Sequence, residues 1–126
     1  GAAEIRAVQW DVGHAVANAD TAVITDLGDP HDIHPKNKQD VGKRLALWAL
    51  AKTYGKTGFE YSGPLYKSMA VEDGRIRIKF DHVGAGLVSR DGKPLSWFEI
   101  AGENGLFVPA EAARSAGAAD VRVRLP

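Results

Sequence analysis

Asp29-Pro30-His31-Asp32-Ile33-His34-Pro35 is the stretch on which the reading of this chain turns. It follows a short apolar run, Thr21-Ala22-Val23-Ile24-Thr25, whose β-branched residues suit a buried strand. It leads into a long segment of helical periodicity. Strand, histidine-bearing loop and helix in that order are how α/β enzymes carry catalytic groups, because a loop at a strand end is held by rigid elements on both sides.

On the downstream side, the sequence predicts its strongest helix over residues 38–54. Asn37 is placed to cap it, and Asp40 lies in the first turn, where a carboxylate complements unpaired N–H groups and the helix dipole. Val41, Leu45, Trp48 and Ala49 form an apolar face for packing on a sheet, and Gly55 is a natural stop. On the upstream side, Ile5, Val8, Val12 and Ala15 recur at helical spacing, which predicts a helix over 2–16 that Gly13 weakens in its last turn. Asn18-Ala19-Asp20 reads as a turn. Helix, strand, loop, helix is half of an α/β layer, and one strand alone cannot make a sheet.

The pattern changes at about Gly58, so the expected domains are residues 1–57, an α/β piece, and 58–126, a β-rich region. Asp73-Gly74 precedes Arg75-Ile76-Arg77-Ile78-Lys79-Phe80, where strict alternation predicts a half-buried strand. Asp91-Gly92 and Asn104-Gly105 are further hairpin-type turns, separating Gly86-Leu87-Val88, residues 95–100 and Leu106-Phe107-Val108 as strands. Val121, Val123 and Leu125 alternate with Arg122 and Arg124 as a last strand. Residues 110–119 stay open between helix, favoured by the alanines, and extended turn, favoured by Gly117.

Composition narrows the function. Hydrophobic content of 44% and charged content of 25% are those of a globular protein, and 16 basic residues cancel 16 acidic ones. No net field draws the chain to nucleic acid or to an anionic membrane. Disulfides and thiolate metal sites are excluded by the lack of cysteine. No apolar run approaches the roughly 20 residues that span a bilayer.

The opening stretch and its flanks carry a family resemblance. Asp26-Leu27-Gly28-Asp29-Pro30, Asp32-Ile33-His34-Pro35-Lys36-Asn37-Lys38-Gln39 and Val41-Gly42-Lys43-Arg44-Leu45-Ala46-Leu47 resemble the C-terminal catalytic block of sialate O-acetylesterases, within the SGNH (GDSL-like) hydrolases. Tyr61-Ser62-Gly63-Pro64-Leu65-Tyr66, Phe80-Asp81-His82-Val83-Gly84, Gly86-Leu87 and Phe98-Glu99-Ile100-Ala101-Gly102 are similar to the family's β-rich C-terminal region. The resemblance implies the end of an SGNH-type α/β layer followed by an antiparallel β-sandwich-like region. It also implies a serine-type esterase that removes acetyl groups from sugar hydroxyls, in a periplasmic or secreted setting. By the same analogy His34 is the general acid/base, a role imidazole suits because its ordinary pKa near 6.5 lets it accept and return a proton. No cofactor is implied.

Two departures from that family stand out. The family's usual aspartate, three residues before the histidine, is His31 here, which leaves Asp32 and Asp29 as the alternatives for orienting His34. The nucleophile is also missing, since none of Ser62, Ser68, Ser89, Ser96 or Ser115 matches a nucleophile motif. The expectation is a C-terminal portion, inactive alone, that is completed by an N-terminal esterase segment, a companion chain or a homo-oligomer.

Other readings compete with this one. His31 and His34 have the i, i+3 spacing of a metal pair, but no further ligands accompany them, and no metal is expected. His82 reads as structural, Trp48 as core, and Arg122 with Arg124 as a solvated strand face. Trp97 is the tryptophan of the β-rich region and is free to face a partner or ligand. The alternative function is a non-catalytic carbohydrate-binding or subunit-assembly β module.

Overall fold

A computed structural model describes residues 2–34, 36–114 and 119–125. The chain forms two compact units, Gly1–Gly63 and Pro64–Pro126, so the break falls later than the 57/58 expected from composition.

The first unit holds helix α1 (Ala2–Ala15) and helix α2 (Lys38–Trp48). Asn37 caps α2 as its sequence suggests: its side-chain oxygen accepts from the Asp40 N–H at 3.1 Å, and its amide donates to the Asp40 carboxylate at 2.7 Å. The helix then widens into a π-helical turn, Ala49–Thr53, closed by the Tyr54 N–H donating to the Ala49 carbonyl at 3.0 Å. Gly55 follows in a left-handed conformation (φ 63°), ending the helix where glycine pays no Cβ penalty. The ring of Trp48, half-buried, meets Tyr61 edge-on with centroids 4.8 Å apart.

Two expectations fail in this unit. Residues 21–25, read as a buried strand, form none: 21–24 have no regular secondary structure and Thr25 begins a turn; their β-branched side chains favour extension, but a strand exists only where a neighbour takes its backbone hydrogen bonds. With no sheet among the unit's described residues to pack on, the apolar stripe of α1 stays open, Ile5, Val8 and Val12 being exposed, while on the α2 face Leu45 is exposed and Val41, Trp48 and Ala49 are half-buried. Instead α1 turns Gly13 towards Asp20 and Thr21, and the Thr21 hydroxyl donates to the Gln9 carbonyl at 3.2 Å.

The second unit is an antiparallel sheet of β1 (Leu65–Glu72), β2 (Arg75–Asp81), β3 (Leu95–Ala101), β4 (Phe107–Arg114) and β5 (Asp120–Arg124). Its order is β1-β2-β5-β4-β3, so the last strand enters the centre, between β2 and β4. Val121 and Val123 are therefore the buried hydrophobic residues among those described, sharing a face with Ile76, Ile78 and Ala112 by register. Asp73 and Gly74, both left-handed (φ 49° and 71°), make the two-residue β1–β2 turn that matches the twist of a hairpin. Asn104 and Gly105 shape the β3–β4 loop, where the Leu106 N–H donates to the Asn104 side chain at 3.1 Å.

Elsewhere the β reading needs correction. Gly86-Leu87-Val88 is loop, and Asp91-Gly92 therefore turns within a long connection instead of joining two strands. That connection is pinned by side chains: Arg114 donates to the Leu87 carbonyl at 3.2 Å, and Asp91 accepts from Ser89 at 2.8 Å and from the Lys93 N–H at 3.1 Å. The alanine-rich segment left open resolves as strand through Arg114, because pairing with β5 outweighs alanine's preference for helix; 115–118 lie outside the described residues. His82 takes a left-handed conformation (φ 56°) directly after β2. The described strands form one sheet, not two facing ones.

Candidate active site: the histidine loop

The histidine loop lies wholly in the first unit and is organised by aspartates. Asp29 accepts from the His31 N–H at 2.9 Å, and the Asp32 N–H reaches back to the Asp29 carbonyl at 3.3 Å, closing a tight turn. Asp32 repeats the device one step on, its carboxylate accepting from the His34 N–H at 2.9 Å. Aspartate suits this because its short side chain can bond a backbone N–H two residues ahead.

The same Asp32 oxygen lies 3.2 Å from Nδ1 of His34. A carboxylate at Nδ1 favours the tautomer that carries its proton there, leaving Nε2 as the lone-pair nitrogen. The imidazole is open to solvent, with 78% of its side chain exposed. Asp29 is turned elsewhere, towards the His31 backbone and Lys36, whose Nζ stands 3.9 Å away. Of the two aspartates weighed from the sequence, the geometry brings Asp32 to His34. Pro35 lies outside the described residues.

Sequence reasoning gave no role to the clamp that ties the loop to its helix. Arg44 of α2 donates through both terminal nitrogens to Asp26, at 2.6 and 2.7 Å, and also to the Val23 carbonyl at 2.6 Å. The hydrogen bond to Asp26 holds the guanidinium still more firmly protonated than usual, against a smaller opposing effect of burial. Both residues were visible in the motif block, but nothing local links positions 26 and 44. The clamp joins the segment before the histidine turn to the helix after it, so the loop is anchored at both ends.

His34 has Asp32 as its side-chain partner among the described residues, Ser89 is bonded to Asp91, and Ser115 lies outside the described residues. No group of three metal-ligating side chains gathers among the described residues. Nor is any described helix long and apolar enough to cross a membrane.

No protein-family model matches the chain. A solved carbohydrate acetylesterase from Xanthomonas citri is similar over 82% of this chain, with 44% identity and a TM-score of 0.72. A curated sialate O-acetylesterase from Mus musculus is 36% identical over 59% of this chain. The chain is related to the sialate O-acetylesterases. It spans a minor part of these relatives, 16% of the mouse protein and 23% of the Xanthomonas citri chain. The family resemblance read from the Asp26–Leu47 block is thereby borne out.

Proposed function

We propose that this chain supplies the histidine and its acidic partner to a serine-type carbohydrate O-acetylesterase of the SGNH kind. His34 acts as general acid/base and Asp32 orients it. The observation that carries this is the 3.2 Å approach of Asp32 to His34 Nδ1 with the rest of the imidazole open. In the reaction a serine Oγ attacks the acetyl carbonyl while Nε2 takes its proton. The tetrahedral intermediate collapses as Nε2 returns that proton to the sugar oxygen, which leaves as the free hydroxyl. Water, deprotonated by the same nitrogen, then cleaves the acetyl-serine to acetate. Asp32 stabilises the imidazolium formed in each half without itself taking the proton.

The nucleophile in this proposal comes from a segment outside these 126 residues. The chain alone is then inactive, and joining it to a serine-bearing segment creates activity. Aryl-acetate hydrolysis by the 126-residue chain that is blocked by a serine-directed reagent would refute the division of labour. The open apolar stripe of α1, with Ile5 63% and Val8 62% exposed, and the exposed Leu45 of α2 are consistent with a companion segment or a second copy covering them. Light scattering tests this: a self-associated or partner-bound species is expected, and a compact monomer at micromolar concentration would count against it.

A further inference from the structure

The sheet ends in two unlike edges, β1 and β3. On β3, Leu95 pairs with Ala112 and Phe98 with Ala110, so Ser96 and Trp97 together oppose the single residue Glu111 in a bulge, and Trp97 is left-handed with φ 67°. Such a bulge bends the strand and interrupts the row of backbone groups that another strand could pair with. Strand β1 has its own irregularity, between Tyr66 and Ser68, but near its start, where Lys67 donates to the Asp81 carboxylate at 2.7 Å. Beyond it, Ser68, Met69, Ala70, Val71 and Glu72 pair one to one with Lys79, Ile78, Arg77, Ile76 and Arg75. This run holds no proline or glycine and is exposed throughout. Its outward backbone groups are a regular, uncovered template for one more strand.

The side chains along this edge are equally unfinished. By register, Val71, Ile76, Val123 and Ala112 form one row across the sheet, and Met69, Ile78, Val121 and Arg114 form the next. Burial falls away along both rows towards β1. Val123 and Val121 are 1% and 4% exposed, Ile76 and Ile78 are half-buried, and Val71 and Met69 are 73% and 57% exposed. Cross-strand pairs are the unit that stabilises a sheet, and these two apolar side chains have such a neighbour on one side and water on the other.

We propose that β1 pairs antiparallel with β1 of a second copy of this chain, about a two-fold axis at Ala70. An axis normal to the sheet sets like faces side by side. The bulge at one end and the Asp73-Gly74 turn at the other fix the register, because centring on Ala70 is the alignment that uses all five regular residues. Met69 of each copy then lies opposite Val71 of the other, and Ser68 opposite Glu72. The row Val123, Ile76, Val71 runs on into Met69, Ile78 and Val121 of the second copy. On the other face a hydroxyl meets a carboxylate, no like charges stand directly opposite, and Ala70 is small enough to face itself. Moving the axis to Met69 would set Val71 against the bulged Lys67, and moving it to Val71 would set Met69 against the turn at Asp73. Five residue pairs make an interface under the roughly 1,200 Å² of stable complexes, so the dimer is reversible and forms at high micromolar concentration.

The test combines analytical ultracentrifugation of the 126-residue chain with oxidative cross-linking, since a chain without cysteine lets a single introduced thiol report its own neighbours. A concentration-dependent dimer is expected. Ala70→Cys is expected to give a disulfide-linked dimer, because directly opposite residues have the Cα separation a disulfide needs, and Ser96→Cys on the β3 edge is expected to stay unlinked. Val71→Lys is expected to weaken the dimer tenfold or more while the dilute chain keeps its melting temperature, since Val71 is exposed in the single copy. Val8→Lys, on the open stripe of α1, is expected to leave the dimer intact. A monomer at every concentration overturns the proposal, as does a dimer that survives Val71→Lys or is lost in Val8→Lys instead. A dimer linked through Ser96→Cys in place of Ala70→Cys overturns the choice of edge, and one linked through neither overturns the register. No hydrolysis is measured, so failure of the esterase proposal leaves these outcomes untouched.

Discussion

Breaking the Arg44–Asp26 clamp should loosen the histidine loop by a calculable amount. The pair is bidentate at 2.6 and 2.7 Å, and its side chains are 34% and 25% exposed. Hydrogen bonds to charged groups contribute about 1.5–3 kcal/mol when shielded, and exposed ion pairs about 1 kcal/mol or less. At this intermediate exposure we expect a coupling of about 1–2 kcal/mol. Arg44→Gln should cost slightly more, because the bond to the Val23 carbonyl at 2.6 Å goes as well. The assay is urea unfolding of the wild type, Arg44→Gln, Asp26→Asn and the double variant, so that the cycle isolates the pair from the other contacts of Asp26. The shift of Arg44 is upward, so its contribution is fully present below the ordinary arginine range and is lost only as pH rises through the still higher folded value; measurements near neutrality see all of it. A coupling below about 0.3 kcal/mol would refute the claim that the clamp holds the loop.

Two further outcomes follow from the sheet unit. Val123, 1% exposed at the centre of the sheet, loses two methyl groups in Val123→Ala; at about 0.8 kcal/mol each plus a cavity contribution, unfolding should become easier by about 2 kcal/mol, read by denaturant titration. In the long connection before β3, the Ser89 hydroxyl and then the Lys93 N–H hold the Asp91 carboxyl below its ordinary range. A lowered folded value makes the contribution present above the unfolded value and lost as pH falls through the folded one. Ser89→Ala should therefore move the Asp91 titration, followed by NMR, to higher pH, and an unmoved curve would remove the hydroxyl as its cause.

Local chemistry made parts of this chain legible. Asn37 and Asp40 announce the start of α2 because the cap is a three-residue affair, and the alternation of Ile76, Ile78 and Phe80, or of Val121 and Val123, states a strand outright. Strand β1 was not drawn from the sequence: it lies at the sheet edge and is exposed from Tyr66 to Glu72, so little burial imprints a pattern. Residues 21–24 show the converse, a strand-like composition without a neighbour to pair with. Insertion of β5 between β2 and β4 depends on pairings across the whole unit, and no single segment encodes it. At the histidine loop the residue types pointed to His34 and left Asp29 and Asp32 equivalent. Only the turn geometry separates them, because each aspartate bonds a backbone N–H two residues ahead and just one also reaches the imidazole.

The most direct measurement of the central claim is aryl-acetate hydrolysis by a protein in which this chain is joined to a serine-bearing segment, comparing His34→Ala, Asp32→Asn and Asp29→Asn with the parent. The account predicts that His34→Ala lowers kcat by about 10²–10⁴-fold with the fold intact, that Asp32→Asn also lowers kcat, and that Asp29→Asn leaves it nearly unchanged. An unchanged rate in His34→Ala, or a loss in Asp29→Asn without one in Asp32→Asn, would contradict it.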